Sequence, residues 1–113
     1  MIAKTLLDYL ANQLDIGVYM EQPEQLTDYV LIDQTGTSRA NHIITTTIAI
    51  QSYGSSLYDA MVLNDRVAKA MENFTLLNEV ARVELETDYN FTNTATKQYR
   101  WQAVYLITHY KED

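Results

Sequence analysis

The side chains best placed to do chemistry near neutral pH are the two histidines, His42 and His109. An imidazole titrates in that range and is the commonest metal ligand. His42 has no His, Asp or Glu at the close spacing of a helical or turn metal motif. Each falls near the end of a predicted strand, where a solvated or hydrogen-bonded ring is the default. Glu84 and Glu86 are two apart on a predicted strand, so both point to one side and invite an acid/base reading. On a half-exposed strand that side is solvent, and a solvated face is the better account. Asp59, Asp65 and Glu72 along a predicted helix read the same way. Ser55-Ser56 follows Gly54 but lacks the strand-Gly-x-Ser-x-Gly frame of a nucleophile elbow, so these serines read as a helix cap. Gly36 stands alone and cannot build a phosphate-cradling loop. With no cysteine, disulfides, Cys-based zinc sites and thiol catalysis are excluded. The residues therefore predict a protein that is not an enzyme and carries no catalytic group, metal or cofactor.

Composition narrows the class further. The chain has 113 residues, 47% hydrophobic and 20% charged, with 3 Gly and 1 Pro, which predicts one globular domain over residues 1–113. Lys and Arg number 8 against 15 Asp and Glu, a formal charge of -7. An acidic chain without a basic run is a poor candidate for gripping nucleic acid, although like charge suits a wall that DNA slides past. The apolar stretches are too short to span a bilayer, and Met1-Ile2-Ala3-Lys4 does not open a signal peptide, so the reading is a soluble protein. Tyrosine is abundant, at 9 residues. Its apolar ring and polar tip suit protein–protein interfaces and sheet surfaces alike, and the count leaves both open. Stacking on nucleic-acid bases is disfavoured, because the accompanying Lys/Arg groove is missing.

The elements that must position these residues follow from periodicity. Residues 1–15 read as an amphipathic helix, with Ile2, Leu6, Leu10 and Leu14 on one line, Ala3 and Leu7 widening it, and Gly17 ending it. Val18-Tyr19-Met20 is a short extended piece cut off by Pro23. Residues 29–34 form a β-rich run closed by a turn at Thr35-Gly36-Thr37-Ser38, and Arg39 to Asn41 continue as polar loop. Residues 42–53 form the strongest strand, almost wholly β-branched from Ile43 to Ile50. A second helix over 57–73 presents Ala60, Leu63, Val67, Ala70 and Phe74. Residues 80–87 alternate as a half-exposed strand, 88–94 read as loop, and 98–110 form a last long strand with Tyr99, Trp101, Ala103, Tyr105 and Ile107 on one face. The order predicts an α+β fold, a mainly antiparallel sheet of four to five strands with two helices on one face. The long strands 42–53 and 98–110 carry few inward charges and are the candidates for edge strands. An open edge of such a sheet could pair with a neighbouring subunit, building a ring or a dimer.

An N-terminal amphipathic helix leads to Tyr29-Val30-Leu31-Ile32-Asp33-Gln34-Thr35-Gly36. Then Ile48-Ala49-Ile50-Gln51-Ser52-Tyr53 runs into a helix of the form Ala-x-x-Leu-Asn-x-x-Val-x-x-Ala-Met from Ala60 to Met71. The closing strand reads Tyr99-Arg100-Trp101-Gln102-Ala103-Val104-Tyr105. This arrangement resembles the small tail-terminator (tail-completion, head–tail joining) proteins of long-tailed bacteriophages and prophages, over nearly the whole chain, as a pattern of elements rather than a diagnostic motif. The resemblance implies a structural virion protein at the head–tail junction, made in the host cytoplasm. It would form a hexameric ring that caps the tail tube and ends polymerisation of the major tail tube protein. The ring would meet a head-side connector protein while DNA passes through its lumen without specific binding, and no membrane is involved. No catalytic residues carry over. Loops are the expected contact elements, which nominates Gln34, Arg39 and His42 in one segment and Asp88, Tyr89 and Phe91 in another, with plain surface loops an equal alternative for each. A head-completion or neck connector protein is the rival within the class. A cytoplasmic dimeric binding module using the sheet edge is the rival outside it, and an acid/base enzyme using the carboxylates comes last.

Overall fold

The computed structural model describes residues 1–24 and 28–110. Helix α1, Ile2–Leu14, buries the predicted stripe of Ile2, Ala3, Leu6, Leu10 and Leu14. It stops on Asp15, which takes a left-handed φ of 56° and donates its N–H to the Ala11 carbonyl. Gly17 is therefore not the cap, since a short polar residue tolerates that conformation. Gly17 instead leaves room for the Tyr19 ring, which a Cβ there would overlap.

Five strands follow: β1 (Val18–Tyr19), β2 (Tyr29–Ala40), β3 (Ile43–Gly54), β4 (Val80–Asn90) and β5 (Tyr99–Tyr110). They lie in the order β1-β2-β3-β5-β4, with β1 parallel to β2 and every other pair antiparallel. Helix α2, Leu57–Glu72, and a 3-10 turn at Phe74–Leu76 connect β3 to β4. Ser56 caps α2, its Oγ accepting from the Asp59 N–H at 3.1 Å, while Ser55 Oγ donates to Asp59 Oδ2 at 2.8 Å. Gly54 is required by close approach: a Cβ there would stand 2.5 Å from the backbone nitrogen of Ala60.

Both helices cover one sheet face, α1 over β1 and β2 and α2 over β3 and β5. Ile32, Ile50 and Ala103 lie opposite one another on that face, and so do Ile48 and Tyr105; all five are buried under the helices with Leu10, Val67 and Phe74. The molecule is thus α+β, as the element order predicts. The other face has no helix among the described residues. Its central rows run Thr45, Thr47, Ala49, Gln51 and Tyr53 on β3 against Thr108, Leu106, Val104, Gln102 and Arg100 on β5.

Three sequence expectations change. Strand β2 does not turn at residues 35–38. It runs on to Ala40, and the reversal is a two-residue turn at Asn41 and His42, with φ of 50° and 69°. Two successive left-handed residues match the twist of the flanking strands. Gly36 adopts no positive φ, and Thr35 is the extra residue of a bulge between Gln34 and Gly36. Second, β4 extends through Asp88, Tyr89 and Asn90, which pair with Ala103, Gln102 and Trp101; the long partner strand carries polar residues into the sheet. Third, the long segments 42–53 and 98–110 are the paired centre of the sheet. The edges are β4 and β2, with β1 covering only Val30 and Leu31.

Candidate functional site

Five of the six nominated residues lie toward opposite ends of the central strands, Arg39 and His42 where Ile43 pairs with Tyr110, and Asp88, Tyr89 and Phe91 toward the end where Gly54 pairs with Tyr99, while Gln34 pairs with Ile48 midway along β3. In the first segment, Gln34 and Arg39 are strand residues and His42 sits in the turn. Gln34 Nε2 donates to Thr37 Oγ1 at 3.0 Å. Gln34 and Arg39 line a 230 Å³ cavity with Ile44, Thr46 and His109, roofed by the start of α1. His109 is buried there, its Nε2 sharing a 2.8 Å hydrogen bond with Thr46 Oγ1. His42 lies outside that cavity and lines a shallower one beside Arg39. The two imidazoles are not brought together.

At the opposite end, Asp88 and Tyr89 point to opposite faces. Asp88 accepts a 3.0 Å hydrogen bond from the Trp101 indole on the helix side. Tyr89 lies on the helix-free face and accepts from Gln102 Nε2. Phe91, just past β4, packs edge-on against Tyr89 with centroids 5.9 Å apart. Its ring carries the Arg100 guanidinium at 4.5 Å from the centroid, and its carbonyl accepts from Arg100 Nε at 2.6 Å. Arg100 also donates through Nη1 to the Tyr53 hydroxyl at 3.2 Å. The Tyr53 ring stacks on Tyr29 at 4.3 Å and 12°.

A hydrogen-bonded row crosses the sheet from this cluster. The Tyr53 hydroxyl donates to Gln51 Oε1 at 2.9 Å, Gln51 Nε2 donates to Gln102 Oε1 at 2.7 Å, and Gln102 then donates to Tyr89. Every step runs in one direction, so the bonds polarise one another. The row keeps both glutamines buried on a face that no helix covers. Burial pushes the Tyr29 hydroxyl up to about 12, helped by Tyr53 and opposed by Arg100. Tyr105, on the helix face, is likewise raised to about 12 by burial and by the nearby Asp88 carboxylate.

Between this cluster and the start of α2 lies a 520 Å³ cleft lined by Tyr29, Tyr53, Tyr99, Asn93, Lys97 and Gln98, among others. Sequence reasoning passed over Lys97 and Arg100. A signal existed: residues 89–110 contain no Asp or Glu in a chain of charge -7. Which tyrosine meets which cation depended on the β3–β5 register. The two-residue spacing of Glu84 and Glu86 predicts one shared side of the strand, and they do not share it. Glu84 Oε1 pairs with Arg82 Nη2 at 3.0 Å, and Glu86 is the extra residue of a bulge that breaks the two-residue repeat. Among the described residues no group of three or more His, Cys, Asp or Glu is placed to hold a metal ion, and no helix is long and apolar enough to cross a membrane. No protein-family model matches the chain, and no curated protein matches it in sequence.

Proposed function

We propose that this protein is a structural ring subunit of the phage tail-terminator type. It would cap the tail tube, end polymerisation of the tube protein and join the tail to a head-side connector. In this reading it is not an enzyme. The observation that carries it is the pair of open sheet edges. Among the described residues, the outer edge of β2 has no partner over residues 32–40, and β4 has no outer partner on the other side. Strand directions alternate from β2 to β4, so β4 runs opposite to β2. A second copy in the same orientation therefore presents its β2 antiparallel to the first copy's β4. Repetition of that heterologous contact closes a ring.

Charge favours this contact over a two-fold one. Pairing β4 with itself would bring Glu84, Glu86 and Asp88 of two copies together, and like charges across strands are destabilising. The bulges at Thr35 and Glu86 leave regular backbone on both edges, at residues 36–40 of β2 and 82–85 of β4. A head-side neck protein would use the same edges and differ only in the ring it docks on.

The chain has no cysteine, which makes cross-linking a clean test. Ser38→Cys on β2 and Glu84→Cys on β4 share the helix-free face. With a short thiol cross-linker, the double variant is expected to give a ladder of covalent multimers ending at a closed ring. Each single variant alone should give no ladder. Dimers from Glu84→Cys alone, with no ladder from the double variant, would mean a two-fold contact and would support a dimeric binding module instead.

A further inference from the structure

We propose that Leu85 of one copy seats in the cavity under the start of α1 in the next copy. The inference rests on the ring reading, whose strand contact it completes with a side-chain lock. Leu85 pairs with Tyr105 of β5 and so projects on the helix side of the sheet. Within the chain, α1 packs over β1 and β2 and α2 over β3 and β5, while β4 meets mainly β5 and the 3-10 turn. Leu85 is left 46% exposed, and Leu76 on that turn 78%. A lone exposed leucine is ordinary, but this one stands on an open edge strand, where a neighbour can add.

The opposite edge carries the matching hollow. The 230 Å³ cavity is walled by Gln34, Thr37 and Arg39 of β2 and by Ile44 of β3, on the same helix side of the sheet. Four of its polar side chains bond one another, Gln34 Nε2 donating to Thr37 Oγ1 at 3.0 Å and Thr46 Oγ1 sharing a 2.8 Å bond with His109 Nε2. Ile2 and Ile44 supply apolar wall that no such bond occupies. A cavity of about 150 Å³ holds a benzene ring, so this one has room for a leucine side chain. In the register that sets Ser38 against Glu84, Thr37 stands opposite Leu85 and Arg39 opposite Val83. All four face the helix side, since Thr37 pairs with Thr46, Arg39 with Ile44, Val83 with Ile107 and Leu85 with Tyr105. Strand addition therefore delivers the leucine to the cavity wall. A two-fold contact between β4 strands would bring no side chain to the cavity. A foreign partner would have to supply both an edge strand and a leucine on the correct face, which a second copy already carries.

The test joins Thr37→Cys with Leu85→Cys and treats this double variant with the same short thiol cross-linker as the Ser38→Cys, Glu84→Cys pair. Both double variants are expected to give ladders of covalent multimers. A ladder from the 38/84 pair alone would keep the ring and overturn the Leu85 contact. No ladder from either would overturn both. Sedimentation gives a second readout. Leu85→Thr suits a strand but loses the apolar bulk, and it should weaken association about tenfold. Leu85→Met keeps that bulk and should retain association. Undiminished association of Leu85→Thr would also overturn the proposal.

Discussion

Gln51 and Gln102 have no helix over them, yet each is only 9% exposed. Their amides are covered by the hydroxyls and rings of Tyr53 and Tyr89, and every donor in the row points toward the β4 edge. Leaving one such amide unmatched would cost about 1–3 kcal/mol, so the row fixes the helix-free face as firmly as apolar packing would. Tyrosines also set the alkaline limit of the fold. Tyr29 and Tyr105 ionise at about 12 in the native state, against 10 in the unfolded chain. The native state therefore holds these protons more tightly. The stability this gives is complete below pH 10 and is lost as pH rises from 10 toward 12. Urea unfolding midpoints should be level up to about pH 9.5 and fall steeply above it, and Tyr105→Phe should flatten the fall. A midpoint unchanged up to pH 11.5 would refute the assignment.

The hairpin between β2 and β3 turns on two left-handed residues, Asn41 and His42. Asn tolerates that backbone, but His in the second position does not suit it as glycine would. Replacing His42 with Gly is expected to raise stability by about 0.5–1 kcal/mol, read as a higher thermal midpoint. A drop of similar size would show that the imidazole makes a contact that outweighs the strain. The same hairpin shows what sequence patterns carry. The strongly periodic elements, α1, β3, α2 and β5, were legible because one face of each is buried and repeats at its own period. The polar ends of β2 and β4 were not, because edge strands facing water need no apolar alternation. Thr35-Gly36-Thr37-Ser38 has turn composition yet lies in a strand, held by pairing with residues 45–48 of β3. Of the candidate site, Tyr89 and Phe91 could be read as exposed aromatics. Their union with Arg100 and Tyr53 is a matter of long-range register and left no local trace.

Across the whole molecule, charge is segregated. Residues 34–58 and 89–110 contain no Asp or Glu, so both central strands lack carboxylates entirely. The excess of acid lies on the connection before β2 (Asp15, Glu21, Glu24 and Asp28) and at and just before β4 (Glu79, Glu84, Glu86 and Asp88 against Arg82), while the helices nearly balance, with Asp8 against Lys4 and Asp59, Asp65 and Glu72 against Arg66 and Lys69. In a ring built edge to edge, the two central strands therefore bring no carboxylate to the sheet face, and the helix layer is close to neutral. The described chain is elongated, 44 × 25 × 23 Å. Strands set along the ring axis would present the hairpin turn on one rim and the aromatic cleft on the other, giving two different docking surfaces. The central claim is the ring itself. It is tested most directly by analytical ultracentrifugation over a wide concentration range, with negative-stain images of the heaviest species. The account predicts a closed six-fold ring with a central hole wide enough for duplex DNA, about 20 Å. A tight dimer at every concentration, with no ring in the images, would contradict it.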